Sequence, residues 1–166
     1  KVIWVKDGID PDETNGHIDG VATYVAPGEV ACIWTDDESH PYYQVARDAY
    51  ETLSNAVDAK GRKLKIHKLC MGANPIALDE EAAATIDMVE TAKERTTDYE
   101  VMGSYLNFLI VNGGVIVPQY DDPNDALAIE QIQAMFPDRE IVGVNTTQIL
   151  YGGGNIHCIT QQEPTA

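Results

Sequence analysis

Gly20-Val21-Ala22-Thr23-Tyr24-Val25, a turn at Pro27-Gly28, and then Val30-Ala31-Cys32-Ile33-Trp34 decide how this chain is to be read. Two short runs rich in β-branched and aromatic residues around a Pro-Gly turn predict a hairpin. Tyr42, Val45, Ala46, Ala49, Leu53, Ala56 and Val57 then recur at helical spacing. They predict a helix from Pro41 to about Asp58, with Pro41 in its first turn and Gly61 at its stop. Leu64-Lys65-Ile66-His67-Lys68-Leu69 follows as a strand and completes a β–β–α–β unit.

The same order returns downstream. Tyr105 to Val111 and Val115 to Pro118 read as strands around Asn112-Gly113-Gly114, a hairpin signal. A helix follows from Asp122-Pro123-Asn124-Asp125 through Ile129, Ile132 and Met135 to Phe136, and Pro137 ends it. Glu140-Ile141-Val142-Gly143-Val144 closes the second unit, and Gly152 to Ile159 reads as a strand opening a third. The fold class is therefore α/β, with β–β–α–β units repeating at a spacing of roughly 85 residues. Met71 to Gly103 reads as an irregular connection with a short helix inside Glu80–Glu94. Lys1-Val2-Ile3-Trp4-Val5 reads as a strand already under way, as in a piece of a longer polypeptide.

Composition sets limits on partners. The formal net charge is −16 over 166 residues, which disfavours nucleic acid and anionic membranes because both would be repelled. Two readings of that charge stay open: a solvated acidic surface, or a field that concentrates cationic substrates. No apolar run approaches the roughly 18 residues of a membrane span. Three cysteines, Cys32, Cys70 and Cys158, form no C-x-x-C pair and no zinc spacing. Their odd number reads as reduced thiols in a cytoplasmic protein. Asp121 to Asp125 lacks the twelve-residue calcium loop and reads as helix capping.

The chemistry gathers at two places. Gly152-Gly153-Gly154-Asn155-Ile156-His157-Cys158 presents a thiol after a run of unobstructed backbone. Glu13-Thr14-Asn15-Gly16-His17-Ile18-Asp19-Gly20 places an imidazole and a carboxylate two residues apart, on one face if the segment is a strand. A thiol, an imidazole and a carboxylate make a nucleophilic site if the fold unites them. Cys32 and Cys70 read as small buried hydrophobes. His157, next to Cys158 in a strand, would point to the opposite face and be structural.

These blocks, with Ser104-Tyr105-Leu106-Asn107-Phe108 and Val111-Asn112-Gly113-Gly114-Val115-Ile116-Val117-Pro118-Gln119-Tyr120, resemble the C-terminal half of an agmatine deiminase, of the peptidylarginine-deiminase-like group. The resemblance runs from Lys1 to Gln162, and the Trp-x-Arg-Asp-x-Gly-Pro block of the family's N-terminal half has no counterpart. It implies one partial domain over 1–166, about two and a half blades of a five-bladed α/β propeller (a pentein). It also implies hydrolysis of agmatine to N-carbamoylputrescine and ammonia through a covalent cysteine intermediate, a step of putrescine and polyamine biosynthesis. Cys158 would be the nucleophile and His17 the general acid and base. Asp19 would fork onto the guanidinium, and Gly153 and Asn155 would shape the substrate path. Glu13 reads equally as a second grip on the cation or as a solvated loop charge. Neither metal nor cofactor is implied, since protonation alone activates the leaving group. With half of the propeller absent, strand edges would be open, so a homo-oligomer or association with the missing half is expected. The alternative is a non-catalytic fragment that binds a guanidino ligand or assembles with a partner chain.

Overall fold

The structure, a computed structural model, describes residues 2–9, 16–85 and 96–164. Among them the strands form two three-stranded sheets of identical topology and one two-stranded pair, a mixed α/β fold. In the first unit β1 (Ala22–Ala26) runs antiparallel to β2 (Glu29–Trp34). Helix α1 (Tyr43–Ser54) then crosses over, and β3 (Lys65–Cys70) returns parallel to β2. Gly28 at the β1–β2 turn has φ of 85°, a backbone conformation that any Cβ would strain.

A connection carrying β4 (Ile76–Ala77), α2 (Glu80–Thr85) and β5 (Glu100–Val101) leads to the second unit. There β6 (Leu109–Val111) pairs antiparallel with β7 (Gly114–Gln119), α3 (Asp125–Met135) crosses, and β8 (Glu140–Asn145) lies parallel to β7. The parallel registers begin at Glu29 with Lys65 and at Gly114 with Glu140, so the two central strands start 85 residues apart. The repeat read from the pattern is thus present in the pairing. A short helix α4 (Thr147–Leu150) precedes the glycine run.

Burial explains the architecture. Val30, Ala31, Cys32 and Ile33 of β2 are buried in succession because that strand is covered on both faces, whereas β7 buries Val115 and Val117 on one face and leaves Ile116 half-buried on the other. Helix α1 turns Ala46, Ala49 and Leu53 onto the first sheet, and burying Leu53 contributes about 1.5–3 kcal/mol. Helix α3 buries Ala128 and Ile132 and packs against both β3 and β8, tying the units together. Gln131 of α3 accepts from the Cys70 backbone N–H at 2.8 Å, and Asn124 donates to the Met71 carbonyl at 2.8 Å.

Several boundaries differ from expectation. Helix α1 stops at Ser54, short of Asp58, because Asn55 bonds the Glu51 carbonyl through both backbone and side chain, and Val57 bridges Lys63. Val2 to Val5 forms no strand. Tyr105 to Phe108 is a turn, with only Leu109–Val111 extended, because Ser104 Oγ accepts from Leu106 N and donates to the Gly20 carbonyl. Gly152 to Ile159 is a succession of turns. The acidic run at 121–125 spends its carboxylates on neighbouring donors: Asp121 accepts from the Asn145 side chain, Asp122 from the backbone N–H groups of Asn124 and Ala73, and Asp125 from the Tyr120 N–H and the Tyr105 hydroxyl.

Candidate active site

The segments that lead into each unit converge. Asp19 lies just before β1, Asn107 just before β6, and Cys158 follows the glycine run after the second unit. Ile18–Gly20 is a 3₁₀ turn, closed by Gly20 N to His17 O at 3.2 Å and Val21 N to Ile18 O at 2.9 Å. At three residues per turn, residues two apart point in different directions. The expectation that His17 and Asp19 share a strand face is therefore corrected: Asp19 turns inward, and His17 is exposed.

Cys158 Sγ sits 3.3 Å from Asp19 Oδ2 and accepts from Asn107 Nδ2 at 3.1 Å. Asn107, itself buried, also accepts from the Cys158 backbone N–H at 3.2 Å through Oδ1, and its carbonyl takes the His157 N–H at 3.1 Å. One asparagine thus fixes both the backbone and the sulfur of the thiol residue. The fourth member is His157, whose Nδ1 lies 2.7 Å from the same Asp19 Oδ2. The strand reading had turned His157 away. In the observed turn, Ile159 N bonds Asn155 O and Thr160 N bonds His157 O, so adjacent side chains reach one carboxylate.

These contacts set the electrostatics. Burial pushes the Cys158 thiol up from its ordinary value, and the facing Asp19 carboxylate adds to that; donors from the Asn155 backbone and Asn107 oppose it without winning. Burial also disfavours charge on Asp19, but hydrogen bonds from His157 and Cys158 outweigh it and hold the carboxyl below its usual range. Cys32 and Cys70 are pushed up to about 12, chiefly by burial; Cys32 is buried as expected, whereas Cys70 is only half-buried.

A narrow cleft opens beside the thiol. Asp19, Asn107 and Cys158 supply its polar groups, and Ile9, Met102 and Leu150 are among its apolar walls. Gly153 and Asn155 both line it. Asn155 is buried and donates from Nδ2 to Tyr120 Oη at 3.1 Å, while that hydroxyl donates to the Ser104 carbonyl at 3.2 Å. Gly154 is pressed against the thiol residue: a Cβ there would stand 2.9 Å from Cys158 Cβ and 3.1 Å from Sγ. A larger apolar cleft, about 340 Å³, lies on the other side of Asp19 and His157.

Among the described residues, the structure brings Cys158, Asp19, Asn155 and Gly153 to one cleft. His17 is absent from its lining and has no side-chain hydrogen-bond partner among them. Glu13 lies outside the described residues. Asn107, Tyr120 and His157 carry site contacts that sequence reasoning did not assign. For Asn107 the signal was available, since it occupies the start of the second unit as Asp19 does that of the first.

A thiol facing a carboxylate between apolar walls suits an electrophilic carbon flanked by cationic N–H groups. The family model for Porphyromonas-type peptidyl-arginine deiminases matches residues 1–164. A Streptococcus mutans relative, whose own assignment as an agmatine deiminase is provisional, is 63% identical over 164 residues, covering 99% of this chain and 44% of that protein. The agmatine deiminase of Pseudomonas fluorescens is 48% identical over 99% of this chain and 44% of its own length. A solved structure described as the agmatine deiminase of Enterococcus faecalis catalysing its reaction superposes with a TM-score of 0.91 at 57% identity, again over 99% of this chain and 44% of that one. The chain therefore spans less than half the length of the relatives it matches.

Proposed function

The chain belongs to the Porphyromonas-type peptidyl-arginine deiminase family, and from that premise we propose that it carries the nucleophilic part of an agmatine deiminase site. The observation that carries the reading is the Cys158 thiol 3.3 Å from the Asp19 carboxylate in a cleft with apolar walls. Asp19 forks onto the guanidinium of agmatine, and the apolar walls accept its methylene chain. The arriving cation offsets the carboxylate that holds the thiol protonated, so Cys158 releases its proton to solvent as substrate binds. Its thiolate attacks the guanidinium carbon and forms a C–S bond. His17 turns inward from its exposed position and protonates one nitrogen, and the C–N bond breaks to release ammonia. Water then attacks the thiouronium carbon while His17 accepts its proton. The C–S bond breaks as the adduct's hydroxyl proton passes to solvent, freeing N-carbamoylputrescine and the thiolate.

In this reading residues 1–166 are part of a single domain, and the two β–β–α–β units are successive blades of a five-bladed propeller. Gly153 and Asn155 shape the substrate path, and Glu13 contributes a second acid. The open edges at β1, β3, β6 and β8 are covered by further polypeptide or by a second copy. The working compartment is the cytoplasm. No described helix is long and apolar enough to cross a membrane.

Intact-protein mass spectrometry after incubation with agmatine, alongside a ureido-product assay, tests the reading. An amidino adduct on Cys158 with product formation is expected, and Cys158→Ala loses both. His17→Ala slows both adduct formation and its hydrolysis. An adduct that persists in Cys158→Ala removes Cys158 from its role. A folded sample giving neither adduct nor product shows that this chain lacks deiminase chemistry alone and favours a binding or assembly module.

A further inference from the structure

His157 takes no part in the reaction sequence above, yet it makes a short polar contact in the site, 2.7 Å from Nδ1 to Asp19 Oδ2. Its backbone is held on both sides. Its N–H bonds the Asn107 carbonyl at 3.1 Å, and its own carbonyl accepts from Thr160 N at 3.2 Å and Thr160 Oγ1 at 3.0 Å. The ring is only partly covered, with 43% of the side chain exposed, and it faces the larger apolar cleft. Neither hydrophobic burial nor backbone anchoring therefore accounts for where the ring points; the carboxylate does. The thiol reaches for that same oxygen from the other side at 3.3 Å. A single oxygen is shared by two donors.

We propose that His157 is a positioning residue for the nucleophile: by occupying the Asp19 oxygen that faces Sγ, it draws charge off that carboxylate and sets how readily Cys158 gives up its proton. The physics is pairwise. An unoccupied Asp19 Oδ2 would accept more strongly from the S–H and repel a thiolate more strongly, and both effects favour the protonated thiol. A donor on Oδ2 weakens both. Among the described residues lining the two clefts, the ionisable groups besides these three are Tyr120, whose hydroxyl is engaged by Ser104 and Asn155, and Tyr24 of β1. His17, on the segment that carries Asp19, is exposed and lines neither cleft. The thiol thus has one described carboxylate facing it, and His157 is the described side chain that moderates it.

The inference rests on Cys158 being the nucleophile, so its test uses no agmatine. The pH dependence of iodoacetamide alkylation at Cys158, read by peptide mass spectrometry, reports thiol ionisation directly. His157→Ala raises the midpoint by about half a pH unit or more, about a threefold loss of alkylation rate at pH 7. His157→Asn, whose side-chain nitrogen sits where Nδ1 does, restores most of the parental midpoint. Asp19→Asn lowers the midpoint, and adding His157→Ala to that variant produces no further change. Circular dichroism on each variant confirms the fold. An unchanged or lowered midpoint in folded His157→Ala overturns the proposal, as does a shift that survives in the Asp19→Asn background. Agmatine turnover is assayed separately, so midpoints that move as expected without turnover sink the deiminase reading and leave this one standing.

Discussion

Replacing Gly154 with alanine should damage the chemistry more than the fold. The added Cβ would stand 2.9 Å from Cys158 Cβ and 3.1 Å from Sγ. Nonbonded carbons settle at about 3.5–4.0 Å, so the pair must separate by at least about 0.6 Å. Gly154 itself lies outside the left-handed region, so the alanine brings contact strain and no backbone strain. The Cys158 side can yield because this segment is made of turns and is half exposed. Yielding moves Sγ relative to Asn107 and Asp19, whose contacts of 3.1 and 3.3 Å define its position. A misplacement of about 1 Å at a reacting group costs about a hundredfold in rate; about 0.6 Å scales to roughly ten- to twentyfold. Overpacking costs about 1–3 kcal/mol where the surroundings hold firm, and a yielding loop keeps the loss at the lower end. The assay pairs iodoacetamide alkylation and agmatine turnover with thermal melts on the same preparations. Parental rates within twofold, at parental melting temperature, would refute the argument that Gly154 is glycine because the thiol residue occupies its space.

Three further outcomes are expected. Tyr120→Phe removes the hydroxyl between Ser104 O and Asn155 Nδ2 and leaves a buried amide donor unpaired; the loss is about 1–3 kcal/mol, read as a fall in melting temperature of about 2–4 °C per kcal/mol, and an unchanged melt counts against the network. Native protein treated with iodoacetamide at pH 8 is labelled at Cys158 and spared at Cys32 and Cys70, whose thiols burial pushes up to about 12; equal labelling of all three would show that the core is open. Asp19 is held below its unfolded value, so its ionised-state bonds add stability above the ordinary carboxylate range and lose it as pH falls through the lowered value. The melting difference between the parent and Asp19→Asn should accordingly shrink on going from pH 7 to pH 3, and a constant difference would contradict the shift.

Legibility in the sequence followed locality. The apolar run at Val30–Trp34, the alternation at Leu64–His67 and the helical spacings at Tyr42–Leu53 and Ile129–Met135 are imposed by burial against neighbouring elements, so they revealed both β–β–α–β units and their order. The Gly152–Ile159 stretch also alternates, with Ile156 and Cys158 two apart, and was read as a strand. Its backbone instead bonds within itself and to Asn107, a partner 51 residues away that no periodicity announces. The same substitution of turn for strand misdirected His17 and His157 in opposite senses. Tyr105 to Phe108 reads as extended because Tyr105 and Phe108 favour strands. The Ser104 hydroxyl, bonding the Gly20 carbonyl 84 residues earlier, drew it out of the ladder. Residue identities at the site were legible; the directions in which they point depended on long-range polar contacts.

The convergence of Asp19, Asn107 and Cys158 has a consequence for the life of the molecule before it works. Cys158 meets one partner 51 residues away and the other 139 residues away. Both encounters come late, because closing long loops costs entropy that only docked units repay. Until then the sulfur is an ordinary cysteine, ionising near about 8.5, while the finished site holds it more firmly protonated. The nucleophile is therefore most open to oxidants while the chain is nascent or transiently unfolded, and folding itself is its protection. Loss of reactive thiol on ageing should track the unfolded fraction, so that contacts far from the cleft, such as Gln131 with Cys70 across the unit boundary, guard its chemistry by keeping the two units joined.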